Sequence, residues 1–456
     1  MANKQFSWDD KTWNVLDSYF TDKNILIRHH LESYNYFINV DLPNIVRENN
    51  PLIIYDNHGD KKIIEYQISF NNVYISKPVI NENDGTTKPM FPYNARIRNL
   101  SYSGGLYVDI DQKIVKKVDG KKTDTIHLPR LKRFNIGKIP IMLNSQYCVL
   151  NDQTEKTRSE MGECEYDLGG YFIINGSEKV VISQERKAEN KIFIFPQRKA
   201  ITKYSHIAEV SSVLEEKPYN IALTQVKLRD KEDHYNGRTI KVQFRNIRQD
   251  IPLFVLFRAL GVLSDKEIIE HIVYDIDNKK NKEMVEMLRA SVEEAAPIQT
   301  KKIALEYISK YTTVYQYYKT SDSDEDKLTY TYNNIMKNLF IHVGTSEKKK
   351  AYYLGLMTNK LLLNALGKLP DDDRDSFINK RVETTGELLR QLFRNNFSKM
   401  VKEMKSSIEK DFRSGRVENY ETLGTTLSKK IKSTTIETGM KYALATGNWG
   451  IKNQEK

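Results

Sequence analysis

Apolar residues of this chain fall first at helical spacing, then in alternation, then at helical spacing again, and that succession sets the expected architecture. In 8–20, Trp13, Leu16 and Phe20 are spaced for one face of a helix, and in 26–38 Ile27, Leu31, Tyr34 and Ile38 repeat the pattern. From 52 to 108 the texture turns to β: IIEYQISFNNVYISKPVI alternates in part and is rich in Ile, Val, Tyr and Phe. Asn83-Asp84-Gly85 and Ser103-Gly104-Gly105 mark turns, while the charged run 113–125 reads as a hairpin tip or a partly disordered surface segment.

Strands are expected again at 192–196, 206–214, 221–230 and 238–247, with HYNG at 234–237 as a turn. Helices are expected at 251–261, 266–275 and 283–295, followed by an acidic exposed loop at 322–326. The stretch 352–366 is apolar on most faces, as in a buried helix, and ends at Gly367 and Pro370. DDDRD at 371–375 is expected to cap a long amphipathic helix striped by Leu388, Leu389, Leu392, Phe393, Phe397, Met400 and Met404. The fold class is α+β: a β-rich first domain left near Arg186, an inserted second domain, and a return near Asp371.

With 456 residues, 39% hydrophobic and 29% charged, the chain reads as a soluble globular protein of about three domains. No run approaches the roughly 18 apolar residues of a membrane span. Two cysteines and a polar start, MANKQFSWDDKTW, point to an intracellular, reducing setting, so the Asn99, Asn175 and Asn396 sequons read as chance. The net charge of +11 favours a polyanionic partner. Its distribution sharpens this, because the 79 residues from Ile378 onward carry 16 Lys/Arg against 9 Asp/Glu.

Catalytic chemistry finds little support. Neither G-x-x-x-x-G-K-[ST] nor G-x-G-x-x-G occurs, so no Gly-rich loop cradles phosphate. The eight histidines are scattered singly except for His29-His30, and read as packing or surface residues rather than ligands. Cys148 and Cys164 are too far apart for a metal knuckle and read as buried and inert. Asp371-Asp372-Asp373 could be weighed as a metal site, but a helix start explains it better, since carboxylates favour the positive end of the dipole.

The most informative stretch is 136–186, IGKIPIMLNSQYCVLNDQTEKTRSEMGECEYDLGGYFIINGSEKVVISQER. It holds a Gly-Gly hinge, a short β-rich run and a strand bearing Lys179, Gln184, Glu185 and Arg186. Around it, in order, stand HHLESYNYFI (29–38), ISFNNVYISKPVINENDG (68–85), YNARIRNLSYSGGLYVDI (93–110), NIRQDIPLFVLFRALGVLSDKEIIEHIVYD (246–275), DDDRDSFINKRVETTGELLRQLF (371–393) and GMKYALATGNWG (439–450). This series resembles the N-terminal part of the second-largest subunit of multisubunit DNA-directed RNA polymerases, of the eukaryotic, archaeal and large-DNA-virus type.

The resemblance implies a protrusion domain over 1–188 and 371–433, a lobe over 189–370 and the start of the fork from 434. It implies one non-catalytic wall of the DNA/RNA cleft. It also implies that no cofactor belongs to this chain, with Mg2+ expected on an Asp triad of the largest subunit. Partners so implied are that subunit, the C-terminal remainder of the second-largest one, small subunits, DNA and the RNA–DNA hybrid, without a membrane.

Nucleic-acid contacts are expected from Lys179, Gln184 and Arg186, from Lys380 and Arg381, and from Lys441, through phosphates rather than base edges. For each the alternative is a solvated charge or an intramolecular ion pair, and that alternative is preferred for Arg374, flanked by Asp373 and Asp375. Trp449 is expected to pack rather than stack on a base. Abundant Asn, Lys, Ile and Tyr suggest an AT-rich genome, hence a virion or host cytoplasm, with a nuclear or archaeal source open. A stand-alone architectural nucleic-acid-binding protein derived from a polymerase domain is the alternative function.

Overall fold

The computed structural model describes residues 10–22, 24–48, 50–57, 62–118, 121–152, 155–164, 166–197, 202–214, 217–231, 235, 237–312, 324–414 and 423–449. The chain forms two compact units, Met1–Glu185 with Val382–Lys456, and Arg186–Arg381. The return crossing thus falls between Arg381 and Val382 rather than near Asp371. The reason is local: Asp372 takes the Ile194 N–H on its carboxylate at 2.8 Å and returns its own N–H to the Ile194 carbonyl, fastening this segment within the second unit.

The first unit opens with α1 (Asp10–Phe20) and α2 (Arg28–Tyr36), which runs through a π turn, Phe37–Asp41, into α3 (Leu42–Glu48). Leu31, Tyr34 and Ile38 are buried as their spacing requires, but Trp13 and Phe20 are exposed. Strands β1 (Leu52–Asn57) and β2 (Lys62–Ile75) are followed by the hairpin β3 (Val79–Asn81)–β4 (Thr87–Pro89) and by α4 (Pro92–Ile97). The long hairpin β5 (Ser103–Val118)–β6 (Lys121–Pro140) absorbs the charged run 113–125 into paired strands, since Ile114 and Val115 are buried. Its tip, 119–120, lies outside the described residues. The four long strands form one antiparallel sheet, β1-β2-β5-β6. After α5 (Glu155–Glu160) come the hairpin β7 (Phe172–Ile174)–β8 (Ser177–Lys179) and then β9 (Gln184–Lys187).

The second unit is a five-stranded antiparallel meander of β10 (Phe193–Pro196), β11 (Tyr204–Leu214), β12 (Lys217–Arg229), β13 (Ile240–Gln243) and β14 (Ile251–Pro252). In the expected HYNG turn, residues 234 and 236 lie outside the described residues. Helices α6 (Leu253–Ala259), α7 (Asp265–Val273), α8 (Lys282–Ala295), α9 (Lys301–Ser309), α10 (Asp324–Asn338) and α11 (Glu347–Ala365) complete the unit. The acidic loop expected at 322–326 is in part the first turn of α10; residues 322 and 323 lie outside the described residues.

All of α6 is buried, including Arg258, whose guanidinium donates to the carbonyls of Ala295 (2.6 Å) and Ile298 and to Asp265. Lys350 is also fully buried, its ammonium donating to the Met336 (2.7 Å) and Leu339 carbonyls at the end of α10, while desolvation lowers its pKa to about 8.

The chain then passes through β15 (Lys380–Glu383), which pairs with β9, into α12 (Thr385–Arg413), α13 (Leu423–Lys430) and α14 (Thr434–Thr446). Every residue of the expected α12 stripe is buried. It faces the alternate side chains Tyr66, Ile68 and Phe70 of β2 and Val108, Ile110 and Ile114 of β5. The close seat of α12 on α2 requires Gly386, because a Cβ there would lie 1.9 Å from the Ser33 carbonyl oxygen. Asp371–Asp373 do not cap this helix. Thr384 occupies its N-cap and Glu387 lies in its first turn, while the aspartates sit in an irregular segment upstream.

Burial holds the imidazoles of His30, His206 and His342 below their ordinary value, helped at His30 by His29 and at His342 by Lys350. The unfolded chain therefore binds these protons more readily than the folded one. Their stabilising contribution is full above about pH 6.5 and is lost as pH falls through the depressed values. The urea midpoint should fall between about pH 7 and about pH 5, before most carboxylates titrate. His342→Gln should remove part of that fall; an unchanged pH profile in this variant would refute the assignment.

Candidate nucleic-acid interface

The expected cationic strand is in fact two strands. Lys179 ends β8, opposite Phe172 of β7, and Gln184, Glu185 and Arg186 lie on β9. The β7–β8 hairpin turns at Asn175-Gly176, both at positive φ, as a two-residue turn between right-twisted strands demands. Arg96 of α4 fixes its flank, donating to both Glu163 oxygens (3.0 and 2.9 Å), to the Tyr171 hydroxyl (2.8 Å) and to Glu178 (2.7 Å). Lys179 beside it is half-buried and has no ion pair among the described residues. The Gly-Gly hinge is present as Gly169 and Gly170, again both at positive φ.

Pairing of β9 with β15 brings Arg186, Lys380 and Arg381, all of the second unit, onto one two-stranded sheet although nearly two hundred residues separate the strands in sequence. Buried Asn379 sets the start of β15. Its side chain donates to the Asp373 carbonyl (2.7 Å) and accepts from Lys191, and its carbonyl accepts the Ala188 N–H (2.9 Å). Arg381 is exposed and donates at 2.8 Å to the Lys380 carbonyl; Lys380 is half-buried with its ammonium 5.6 Å from the Phe377 ring. Gln184 is exposed, its amide donating to the Ile182 carbonyl at 3.3 Å. Arg186 is ion-paired with Glu189, so its charge is largely compensated.

Lys441 is elsewhere, on α14 of the first unit. Ile436, Met440, Ala443 and Leu444 bury one face of that helix, and Gly439 lies against Asn396 of α12. Lys441 is left half-exposed beside exposed Tyr442, with no ion pair among the described residues. Gly447 at positive φ closes the helix, and Trp449 packs partly buried on the core. Arg374 is exposed, and its guanidinium lies 3.9 Å over the Phe195 ring. Phe377 and Ile378, 74% and 78% exposed, went unnoticed in the sequence. Their signal was an apolar pair inside a polar run, one residue before the two cations of β15.

Among the described residues no three His, Cys, Asp or Glu side chains gather where they could hold a metal ion. The aspartate cluster is spent on structure: Asp371 accepts from Asn364 (2.9 Å), Asp372 from the Ile194 N–H, and Asp373 from the Asp375 N–H (2.8 Å). Cys148 is buried 3.4 Å from the Tyr102 hydroxyl, and burial pushes its thiol up. Cys164, expected to be buried, is exposed. It follows Glu163, whose carboxylate turns inward to Arg96. What these surfaces offer is fixed positive charge and hydrogen-bond donors, the chemistry of phosphate contact.

Comparison with known proteins bears on the same conclusion. A sequence family described as RNA polymerase beta subunit matches residues 25–438. DNA-directed RNA polymerase II subunit 2 of Arabidopsis thaliana is 40% identical over 459 residues, covering 97% of this chain and 37% of its own length. The RPB2 subunit of Eremothecium gossypii is 38% identical, with 97% and 36% covered. The archaeal subunit Rpo2N of Methanococcus vannielii is 31% identical over 441 residues, with 95% of this chain and 80% of its own length covered. The chain thus spans little more than a third of these polymerase II relatives and four fifths of the archaeal one. Since the match runs through both units, their cores and the cationic strands that join them in sequence, the chain belongs to the RNA polymerase beta subunit family and corresponds to the N-terminal part of the second-largest subunit.

Proposed function

We propose that this chain forms one wall of the DNA/RNA cleft in a DNA-directed RNA polymerase and carries no catalytic residue of its own. The first unit serves as the protrusion, with the fork beginning at 434, and the second as the lobe. Nucleotidyl transfer takes place on Mg2+ held by an Asp triad of the largest subunit. This chain guides nucleic acid past that centre through phosphate contacts from Lys179, Gln184, Lys380, Arg381 and Lys441, with a smaller share from Arg186 because of Glu189. Its partners are the largest subunit, the C-terminal remainder of the second-largest one, the small subunits, DNA and the RNA–DNA hybrid. The compartment follows the template: inside a cell, and by residue usage a virion or host cytoplasm rather than a nucleus.

The observation that carries this reading is the unbroken family match from residue 25 to 438 across both units. Mass spectrometry of the complex isolated through this chain tests it. Recovery of a largest polymerase subunit together with the remaining part of the second-largest one is expected. A chain recovered with nucleic acid but no polymerase subunit would establish the stand-alone architectural protein instead.

A further inference from the structure

The face of the long sheet opposite α12 carries a polar cavity that the contacts proposed above leave unused. Tyr66, Ile68 and Phe70 of β2 and Ile110 and Ile114 of β5 turn toward α12. Alternation therefore puts Gln67, Ser69 and Asn71, with Asp109, Asp111 and Lys113, on the other face. On β6 the core-facing residues Leu128, Leu131 and Phe134 stand three apart rather than two, opposite Gln112, Ile110 and Val108. Each interval thus holds an extra residue, a bulge, and bulges re-aim side chains. Here they bring Arg130 over the outer face, where it meets Asp109 at 3.0 Å and Asp111 at 3.2 Å. Asp109 also takes the Arg133 N–H at 2.8 Å, and Asp111 the Asn71 amide.

Beside this network a cavity of about 520 Å³ opens across β2, β5 and β6, lined in part by Ser69, Asp111, Lys113, His127 and Arg130. Lys113 is the middle of a cross-strand row, opposite Gln67 on one side and His127 on the other, and Ser69 is opposite Asp111 in the next row. Neighbouring strands lie about 4.8 Å apart and successive rows about 6.8 Å, so the Lys113 ammonium, the Ser69 hydroxyl and the His127 ring can reach one guest from three directions. Lys113 is half-buried, and its ammonium has no hydrogen bond or ion pair among the described residues. The same holds for the Ser69 hydroxyl and the exposed His127 ring.

The lining sets the chemistry of that guest. Lys113 and Arg130 against Asp111 leave one positive charge. Asp111 is already held by Arg130 and Asn71, so its carboxylate is not open to a cation. A flat carboxylate pairs best with the fork of an arginine, and the Arg130 fork is committed to Asp109 and Asp111. An ammonium, a hydroxyl and an imidazole converging from three strands instead suit a tetrahedral phosphoryl group with its several acceptor oxygens. The volume lies within the range of small-ligand sites, enough for the phosphoryl group and the moiety that bears it.

We propose that this cavity binds a phosphoryl group, free or on a mononucleotide, with Lys113, Ser69 and His127 as its donors and Arg130 as the second positive charge. The site is independent of the polymerase reading and of the cations on β8, β15 and α14.

Amine acylation of the full chain, read peptide by peptide by mass spectrometry, tests this with inorganic phosphate, adenosine monophosphate and a short single-stranded oligonucleotide as probes. Exposed Lys88 of β4 serves as the internal control. With phosphate or the mononucleotide at about ten times its Kd, free sites fall to about one in eleven, so acylation of Lys113 should slow about 10-fold. The rate at Lys88 should not change. In equilibrium dialysis Lys113→Ala should weaken binding of the same probe about 10- to 100-fold, and Ser69→Ala about 10-fold. Slowing by inorganic phosphate, with or without the nucleotide, assigns the seat to the bare phosphoryl group. Slowing by the mononucleotide alone assigns it to a nucleotide, and either result supports the proposal. Protection by the oligonucleotide alone would reveal diffuse attraction to a polyanion and overturn it. An unchanged Lys113 rate with every probe, or equal slowing at Lys88, would overturn it as well. Because the rate is read on the parent chain, a variant that misfolds leaves this outcome intact.

Discussion

Replacing Phe397 with alanine should lower the unfolding free energy of the first unit by about 3–5 kcal/mol. Phe397 is fully buried on the inner face of α12, edge to face with Phe70 of β2 at 5.6 Å and stacked on Phe393 at 5.8 Å. Removing the ring withdraws apolar area from a contact that joins the long helix to the sheet, and neighbouring rings held on rigid strands can refill the space only in part. Phe397→Leu keeps most of the volume and should cost less, about 1–2 kcal/mol. The effect would be read as a lower denaturant midpoint and as faster amide exchange in β2 and β5. It bears on function because Ile436 and Met440 of α14 belong to the same core, so loosening α12 also loosens the helix that presents Lys441. A loss below about 1 kcal/mol in Phe397→Ala would mean that the α12–sheet contact is not what holds this unit together.

What the sequence disclosed, and what it hid, follows from the range of the interactions involved. The α12 stripe was legible because seven apolar residues at helical spacing leave a single face to bury, and all seven are buried. The β2 strand was legible for the same reason at period two, whereas β5 was legible only in its middle: Ser103-Gly104-Gly105, read as a turn, opens it, and the charged run from 113, read as a tip, is its far half. The position of α4 was not, since PYNARI is too short to show a period and is fixed by Pro92 and by the Arg96 network. The aspartates at 371–373 imitate an N-cap because they precede a strongly amphipathic run; a 3-10 turn and β15 intervene, and only the tertiary contact with Ile194 reveals their role.

Periodicity also placed α1 correctly as a helix, yet could not tell that its apolar face would be left exposed. Among the candidate contact residues, sequence supplied identities and no geometry. Nothing local to 184–187 or 380–383 announces that these strands pair, and the pairing is what assembles Arg186, Lys380 and Arg381. The compensation of Arg186 by Glu189, three residues on, could have been suspected from spacing, whereas the stack of Arg374 on Phe195 could not.

The isolated chain should bind a short DNA duplex or RNA–DNA hybrid weakly, without base preference, and with a steep dependence on salt. Each Lys or Arg that meets a phosphate releases condensed counterions, at about 0.9 per contact on a B-form duplex. Lys179, Lys380, Arg381 and Lys441 are the four candidate cations besides Arg186, so contact by all four gives a log–log slope near −3.6. Raising salt from about 50 to about 200 mM would then weaken binding about 100-fold. Arg186 adds little because Glu189 already neutralises it, and Gln184 can hydrogen-bond a phosphate without displacing an ion. Lys380→Glu/Arg381→Glu removes two contacts and leaves two repulsions, so the slope should flatten by about two and the low-salt affinity should fall about 100-fold. Gln184→Ala should weaken binding slightly and leave the slope alone. Fluorescence anisotropy across a salt series, with two duplexes of unrelated sequence, reads all of these at once. Because Asn379 fixes the start of β15, the double variant should fold as the parent does, and an unaltered slope would remove Lys380 and Arg381 from the path of the nucleic acid.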